Sequence, residues 1–158
     1  MLDSGDTAPE VSAINQDGKR VTLEFSRPTV LYFYPKDESP GCTIETRQFN
    51  EALDAYDDAG IEVFGVSTDD VESHSQFCSR YDLEFDLLAD PTAAVANAFG
   101  VDTTDGTADR VTFVLTDGRV EHVYRNVEPN GHAREVLMDS LDEIIENPAE
   151  TDLTQESQ

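Results

Sequence analysis

The sequence contains no tryptophan, two cysteines, two methionines and two lysines, Lys19 and Lys36. No stretch approaches the roughly eighteen consecutive apolar residues of a membrane-spanning helix. The first residues, Met1-Leu2-Asp3-Ser4-Gly5-Asp6, lack the basic flank and apolar core of a secretory signal, so the protein is read as cytosolic. In a cytosolic chain, Cys42 and Cys78 are not expected to form a permanent disulfide; they are catalytic, transiently paired, metal-binding or core residues. There is no C-x-x-C, which weighs against a dithiol reductase. Internal repeats and low-complexity linkers are absent as well.

Positive charge is scarce. Ten Lys and Arg stand against 34 Asp and Glu, giving a formal net charge of -24. Such a surface repels nucleic acid and anionic membranes, and neither is an expected partner. The acids are spread along the whole chain, which argues against a local acidic recruiting segment. At low salt they repel one another, and at high salt they are screened. The pattern fits a halophilic protein built for a salt-rich cytoplasm, with an ordinary acidic protein as the alternative.

What is present suits one domain. The 158 residues are 38% hydrophobic, enough for a core without disulfides or a structural metal. We assign residues 1–147 to that domain and 148–158 to an acidic, disordered tail. Val11 to Asn15 and Arg20 to Leu23 flank an Asp17-Gly18 hairpin signal. The run PTVLYFY from Pro28 to Tyr34 reads as a strand buried on both faces. A helix is expected from Cys42 to Ala59, with Phe49, Leu53 and Tyr56 at helical spacing and Gly60 as its stop. Ile61 to Ser67 reads as a second central strand. Thr68 or Asp69 is a candidate cap for a helix running to Tyr81. Leu83 to Leu88 reads as a short strand, and Asp90-Pro91 as the opening of a helix through Phe99. Arg110 to Thr116 and Arg119 to Asn126 form a hairpin around Asp117-Gly118. The last helix covers Ala133 to Glu146, with Val136, Leu137, Leu141, Ile144 and Ile145 on its apolar side and Pro148 ending it. This order predicts an α/β, thioredoxin-like fold: a mixed central sheet flanked by helices, with an N-terminal β-hairpin.

In such a fold the helix after the first core strand begins at the active site. Cys42 in its first turn would meet unpaired N–H groups and the positive end of the helix dipole, both of which favour a thiolate over a thiol whose ordinary pKa is about 8.5. Ser39 supplies a hydroxyl able to donate to sulfur or to a bound oxygen. On the residues alone a buried Cys beside an ordinary Ser cap explains the segment equally well. Glu45 either holds a cation in place or simply favours the helix N-terminus. Arg110 by itself reads as a solvated charge at a strand end. His74 and Cys78 stand at helical ligand spacing and with Cys42 could make a zinc site, a weak pattern lacking a paired C-x-x-C. His122 and His132 are isolated and read as strand and loop residues.

The string Tyr32-Phe33-Tyr34-Pro35-Lys36-Asp37, followed by Ser39-Pro40-Gly41-Cys42-Thr43 and Glu45, resembles the peroxiredoxin active-site pattern Pro-x-x-x-(Thr/Ser)-x-x-Cys. It is most similar to the peroxiredoxin Q (bacterioferritin comigratory protein) branch, from Gly5-Asp6-Thr7-Ala8-Pro9 through to RVTFVLT. Ser39 departs from the commoner Thr, keeping the hydroxyl but losing the methyl that fixes its rotamer. The resemblance implies that Cys42 is the peroxidatic cysteine, that Pro35 shields its pocket, that Ser39 orients the peroxide and that Arg110 is the active-site arginine. It implies a thiol-dependent peroxidase for hydrogen peroxide and organic hydroperoxides, working through a sulfenic acid without metal, flavin or haem. Many members of the branch place a resolving cysteine five residues after the first; here Arg47 stands there. Cys78 matches the next-helix location used by others, which implies a Cys42–Cys78 disulfide recycled by thioredoxin or a similar dithiol. Helical neighbours Val71, His74 and Tyr81 leave a core role for Cys78 open. The resemblance also suggests a monomer. A peroxide-sensing switch without efficient turnover is the alternative function.

Overall fold

A computed structural model describes residues 1–146, with side chains through residue 142. The tail expected over 148–158 and the stop at Pro148 lie outside the described residues, as do the side chains of Ile144 and Ile145.

The N-terminal hairpin pairs β1 (Val11–Asn15) with β2 (Arg20–Leu23) in antiparallel register. The apolar run becomes β3 (Thr29–Phe33), every residue of which is buried. It is followed by helices α1 (Pro40–Glu51) and α2 (Leu53–Asp58), then β4 (Glu62–Ser67) and α3 (Val71–Tyr81). β5 (Asp86–Ala89), α4 (Ala94–Phe99), the hairpin β6 (Val111–Thr116)–β7 (Arg119–Tyr124) and α5 (His132–Glu146) complete the described chain. The strands form one mixed sheet in the order β2-β1-β5-β4-β3-β6-β7. β4 runs parallel to both β3 and β5, and the remaining pairings are antiparallel. The fold class expected from the sequence is the one observed, with one hairpin at each edge.

β3 explains why the core has two halves. Its alternate side chains point to opposite faces. Leu31 and Phe33 pack with Val66, Leu88, Phe99 and Phe113 on one face. Val30, Tyr32 and Tyr34 pack with Phe49, Tyr56, Phe77 and Leu87 on the other. The parallel β3–β4 pairing requires a crossover, and its helix starts beyond the C-terminal end of β3.

Several boundaries differ from the sequence reading, each for a local reason. The helix expected from Cys42 begins at Pro40, because the first helical position needs neither a free N–H nor a flexible φ. It is interrupted at Ala52 (φ -90, ψ 0), and the break still leaves Phe49, Leu53 and Tyr56 in one core cluster. The cap of α3 is Asp70, whose carboxylate accepts from the Ser73 N–H at 2.9 Å, rather than Thr68 or Asp69. β5 starts later than expected because the Leu83 N–H bonds the Cys78 carbonyl and the Glu84 N–H bonds the Asn50 side chain, away from the sheet. Pro91 lies in a turn ahead of α4. Asp90 nevertheless serves that helix, accepting from the Val95 and Ala96 N–H groups, each at 2.9 Å.

Candidate active site

The turn from Tyr34 to Ser39 carries the chain from the end of β3 into α1. Ser39 is the N-cap, in extended conformation (φ -69, ψ 153), and Pro40 is the first helical residue. Cys42 therefore falls in the first turn, as its spacing from Pro40 predicts. It is completely buried.

Two N–H donors reach its sulfur. The Lys36 backbone N–H donates to Sγ at 3.5 Å and Arg110 Nη2 donates to it at 3.2 Å. Arg110 is thus no solvated strand-end charge: it sits just before β6 with its guanidinium turned inward. Its other terminal nitrogen, Nη1, pairs with Glu45 Oε1 at 2.9 Å. Glu45 is wholly buried, and its Oε2 has no hydrogen-bond partner among the described residues. Burial raises the Glu45 pKa from 4.5 to about 7, with the Arg110 charge and hydrogen bond pulling the other way. The outer partner for a cation and the helix-dipole residue were equal readings of Glu45; the geometry favours the first.

Ser39 makes no cap hydrogen bond and none to sulfur. Its hydroxyl donates to the Lys36 carbonyl at 2.9 Å, which leaves its lone pairs free to accept. Pro35 is half-buried in the same turn.

Cys78 lies on α3, half-buried, and packs against the core cluster that contains Cys42; both thiols are free. Burial pushes its pKa up to about 12, with the charges of Asp37, Asp17 and Asp86 acting in the same direction. The zinc reading fails on His74. Its Nδ1 meets Asp37 Oδ2 at 2.7 Å and its Nε2 meets the Leu88 carbonyl at 3.1 Å, so neither ring nitrogen is left for a metal. No group of three or more His, Cys, Asp or Glu is placed to hold a metal ion among the described residues. His132 is also not an isolated loop residue. It opens α5, is buried, and pairs with Thr112 Oγ1 at 2.8 Å, and burial lowers its pKa. His122 lies on β7 as expected.

Three features of the site escaped the sequence reading. The Lys36 N–H is a backbone group, and no side-chain pattern announces it. Asp37, to which the sequence reading gave no role, is buried beneath the turn and bonded to α3. At Gly41 an added Cβ would lie 2.7 Å from Arg110 Nη2 and 3.3 Å from Pro129 Cγ, so the missing side chain makes room for the guanidinium. The available signal for that last feature is the glycine itself, placed at a helix entry immediately before Cys42.

No helix among the described residues is long and apolar enough to cross a membrane. Comparison with known proteins agrees with the fold. The chain is 39% identical over 142 residues to the chloroplastic peroxiredoxin Q of Oryza sativa subsp. japonica, covering 86% of this chain but only 65% of the length of that relative. It is 38% identical over 147 residues to peroxiredoxin Bcp of Escherichia coli (strain K12), covering 86% of this chain and 94% of that one. The crystal structure of Xylella fastidiosa PrxQ, 32% identical, superposes with a TM-score of 0.84 over 90% of this chain and 98% of its own. Residues 4–123 match the AhpC/TSA family, to which this chain belongs.

Proposed function

We propose that the protein is a thiol-dependent peroxidase in which Cys42 attacks the peroxide. The convergence of Arg110 Nη2 and the Lys36 N–H on the buried Cys42 sulfur carries this reading. Both donors stabilise negative charge on sulfur before the reaction and on oxygen as it leaves. Glu45 holds the guanidinium in that position from behind. The Ser39 hydroxyl, committed as a donor to Lys36, can accept from the O–H of the peroxide and orient it. Pro35 shields the pocket from the turn side.

The thiolate sulfur bonds to one peroxide oxygen as the O–O bond breaks. Cys42 becomes a sulfenic acid, and the departing hydroxide or alkoxide takes a proton to leave as water or alcohol. Cys78 then attacks the sulfenic sulfur, forming the Cys42–Cys78 disulfide and releasing water. A thioredoxin or similar dithiol reduces the disulfide by exchange, becoming oxidised itself. These steps require no metal, flavin or haem. Hydrogen peroxide and organic hydroperoxides are the proposed substrates. The working form is a monomer in a salt-rich cytoplasm, in keeping with the charge of -24.

One equivalent of hydrogen peroxide, followed by alkylation and mass analysis, tests the two cysteine roles. Wild type should lose both free thiols and two hydrogens. Cys42→Ser should keep its remaining thiol, and Cys78→Ser should accumulate a trappable sulfenic acid. Wild type that passes to sulfinic acid at Cys42 with Cys78 still free would remove the resolving role.

A further inference from the structure

Asp37 sits in the turn between β3 and α1, yet it is buried and surrounded by donors. The Tyr34 hydroxyl donates to Oδ1 at 2.7 Å, and the Ser73 hydroxyl donates to Oδ2 at 2.8 Å. His74 Nδ1 lies 2.7 Å from the same Oδ2. The Asp37 backbone N–H donates to Asp69 Oδ2 at 2.8 Å, and that oxygen also accepts from the Ser67 hydroxyl at 2.7 Å. On the far side of the imidazole, Nε2 faces the Leu88 carbonyl at 3.1 Å. A carbonyl only accepts, so Nε2 carries a hydrogen, and a second proton lies in the Nδ1–Oδ2 contact. That contact is a charge-assisted bond sealed from water, with both side chains at or below 2% exposure.

The mechanism uses none of these bonds, but their position relates them to both thiols. Lys36, whose N–H points at Cys42, immediately precedes Asp37. Cys78 lies one helical turn after His74. Glu38, next in the turn, adds an exposed tether to the same helix through Arg80 at 3.1 Å. The turn that encloses Cys42 and the helix that carries Cys78 are therefore fastened to each other by one buried cluster.

The geometry points to Asp37 and His74 as a positioning latch that holds the turn of residues 35–39 against α3 while Cys42 is reduced, and that must open before Cys78 can bond Cys42. The second half rests on the proposed peroxidase cycle; the first half concerns the reduced protein whatever its activity. In the latch, Cys42, completely buried, and Cys78, half-buried against the same core cluster, bond each other once the turn or the helix has left its place. The bonds at Asp37 oppose that departure together, because loss of one donor exposes the rest. In the step itself the Cys78 sulfur bonds the Cys42 sulfur, the S–O bond breaks, and hydroxide leaves with the thiol proton as water.

Asp37→Asn and, should that variant fail to fold, Ser73→Ala test the latch by two readouts. In the reduced protein, amide hydrogen exchange should rise about fivefold or more in residues 35–42 and 71–81 together, as for loss of a buried charge-assisted hydrogen bond, while β6 and β7 exchange as in wild type. After one equivalent of peroxide, the disulfide should form several-fold faster than in wild type. Thr112→Val, which unpairs His132 instead, should leave both quantities at their wild-type values. Unchanged or slower exchange in those two segments, or a disulfide step no faster than wild type, overturns the latch. If wild type itself forms no sulfenic acid, the peroxidase reading falls while hydrogen exchange still decides whether the turn and helix are fastened.

Discussion

A methyl group on Gly41 would stand 2.7 Å from Arg110 Nη2, the nitrogen that donates to Cys42 Sγ at 3.2 Å. The arginine reaches the sulfur across the space left by an absent side chain. Gly41→Ala separates stability from function. Alanine favours the helix by about 0.5–1 kcal/mol, so the thermal midpoint should hold or rise. The displaced guanidinium should lower the second-order rate with peroxide by roughly tenfold or more, the worth of one charge-assisted hydrogen bond. Stopped-flow oxidation beside a melting curve gives both numbers. A variant as fast as wild type would show that the contact has no part in the chemistry.

Glu45 predicts a pH dependence of stability. Its folded pKa of about 7 lies above its ordinary 4.5, so the native state holds the proton more tightly than the unfolded chain does. Its contribution is fully present below pH 4.5 and is lost as pH rises through 7. At 1.36 kcal/mol per unit, the loss is on the order of 3 kcal/mol. Relative to Glu45→Gln, wild type should weaken steadily from pH 5 to pH 8 in urea unfolding. Parallel curves for the two proteins would contradict the buried acid.

The Cys78 thiol, pushed up to about 12 from 9.0, should be inert in the folded protein. In Cys42→Ser, where it is the only cysteine, iodoacetamide at pH 8 should label it about a thousandfold more slowly than after unfolding in guanidinium, in proportion to its thiolate fraction. Equal rates in the two states would mean that the burial is not maintained in solution.

Much of this fold was legible because its core strands and hairpins obey local rules. The run PTVLYFY read as a strand buried on both faces, which Thr29–Phe33 is, and Asp17-Gly18 and Asp117-Gly118 mark their turns without help from the rest of the chain. What stayed hidden depends on partners distant in sequence. Arg110 by itself reads as a surface charge, and only the resemblance pointed it to the site; β6 laid beside β3 is what brings it to Glu45 and Cys42. Asp37 carries no signal of burial until Ser73 and His74 of α3 arrive to bond it. The Asp90 cap was half visible: the residue type was right, but Pro91 drew the helix start too early. At the site, the place of Cys42 in a first helical turn was legible from the residues and its proposed role only from the resemblance, whereas the donors on its sulfur are a backbone N–H and a remote arginine.

The excess of acid makes a prediction about salt. With a net charge of -24 and exposed pairs such as Arg27–Glu62 too weak to offset it, self-repulsion should dominate at low ionic strength. Raising KCl from 0.1 M to about 2 M, where the Debye length falls from about 10 Å to a few ångström, should raise the melting temperature by roughly 5 °C, equivalent to one to two kcal/mol. A flat response would leave an ordinary acidic protein.

Cys42, served by Arg110 and relieved by Cys78, is the residue we propose turns over peroxide. Peroxide consumption coupled to thioredoxin and its reductase tests it most directly, with wild type, Cys42→Ser and Cys78→Ser compared side by side. Rapid multiple turnover is predicted for wild type, none for Cys42→Ser, and thioredoxin-driven turnover reduced at least tenfold for Cys78→Ser. A wild type that consumes one equivalent of peroxide and stops would contradict the account and mark the protein as a redox switch.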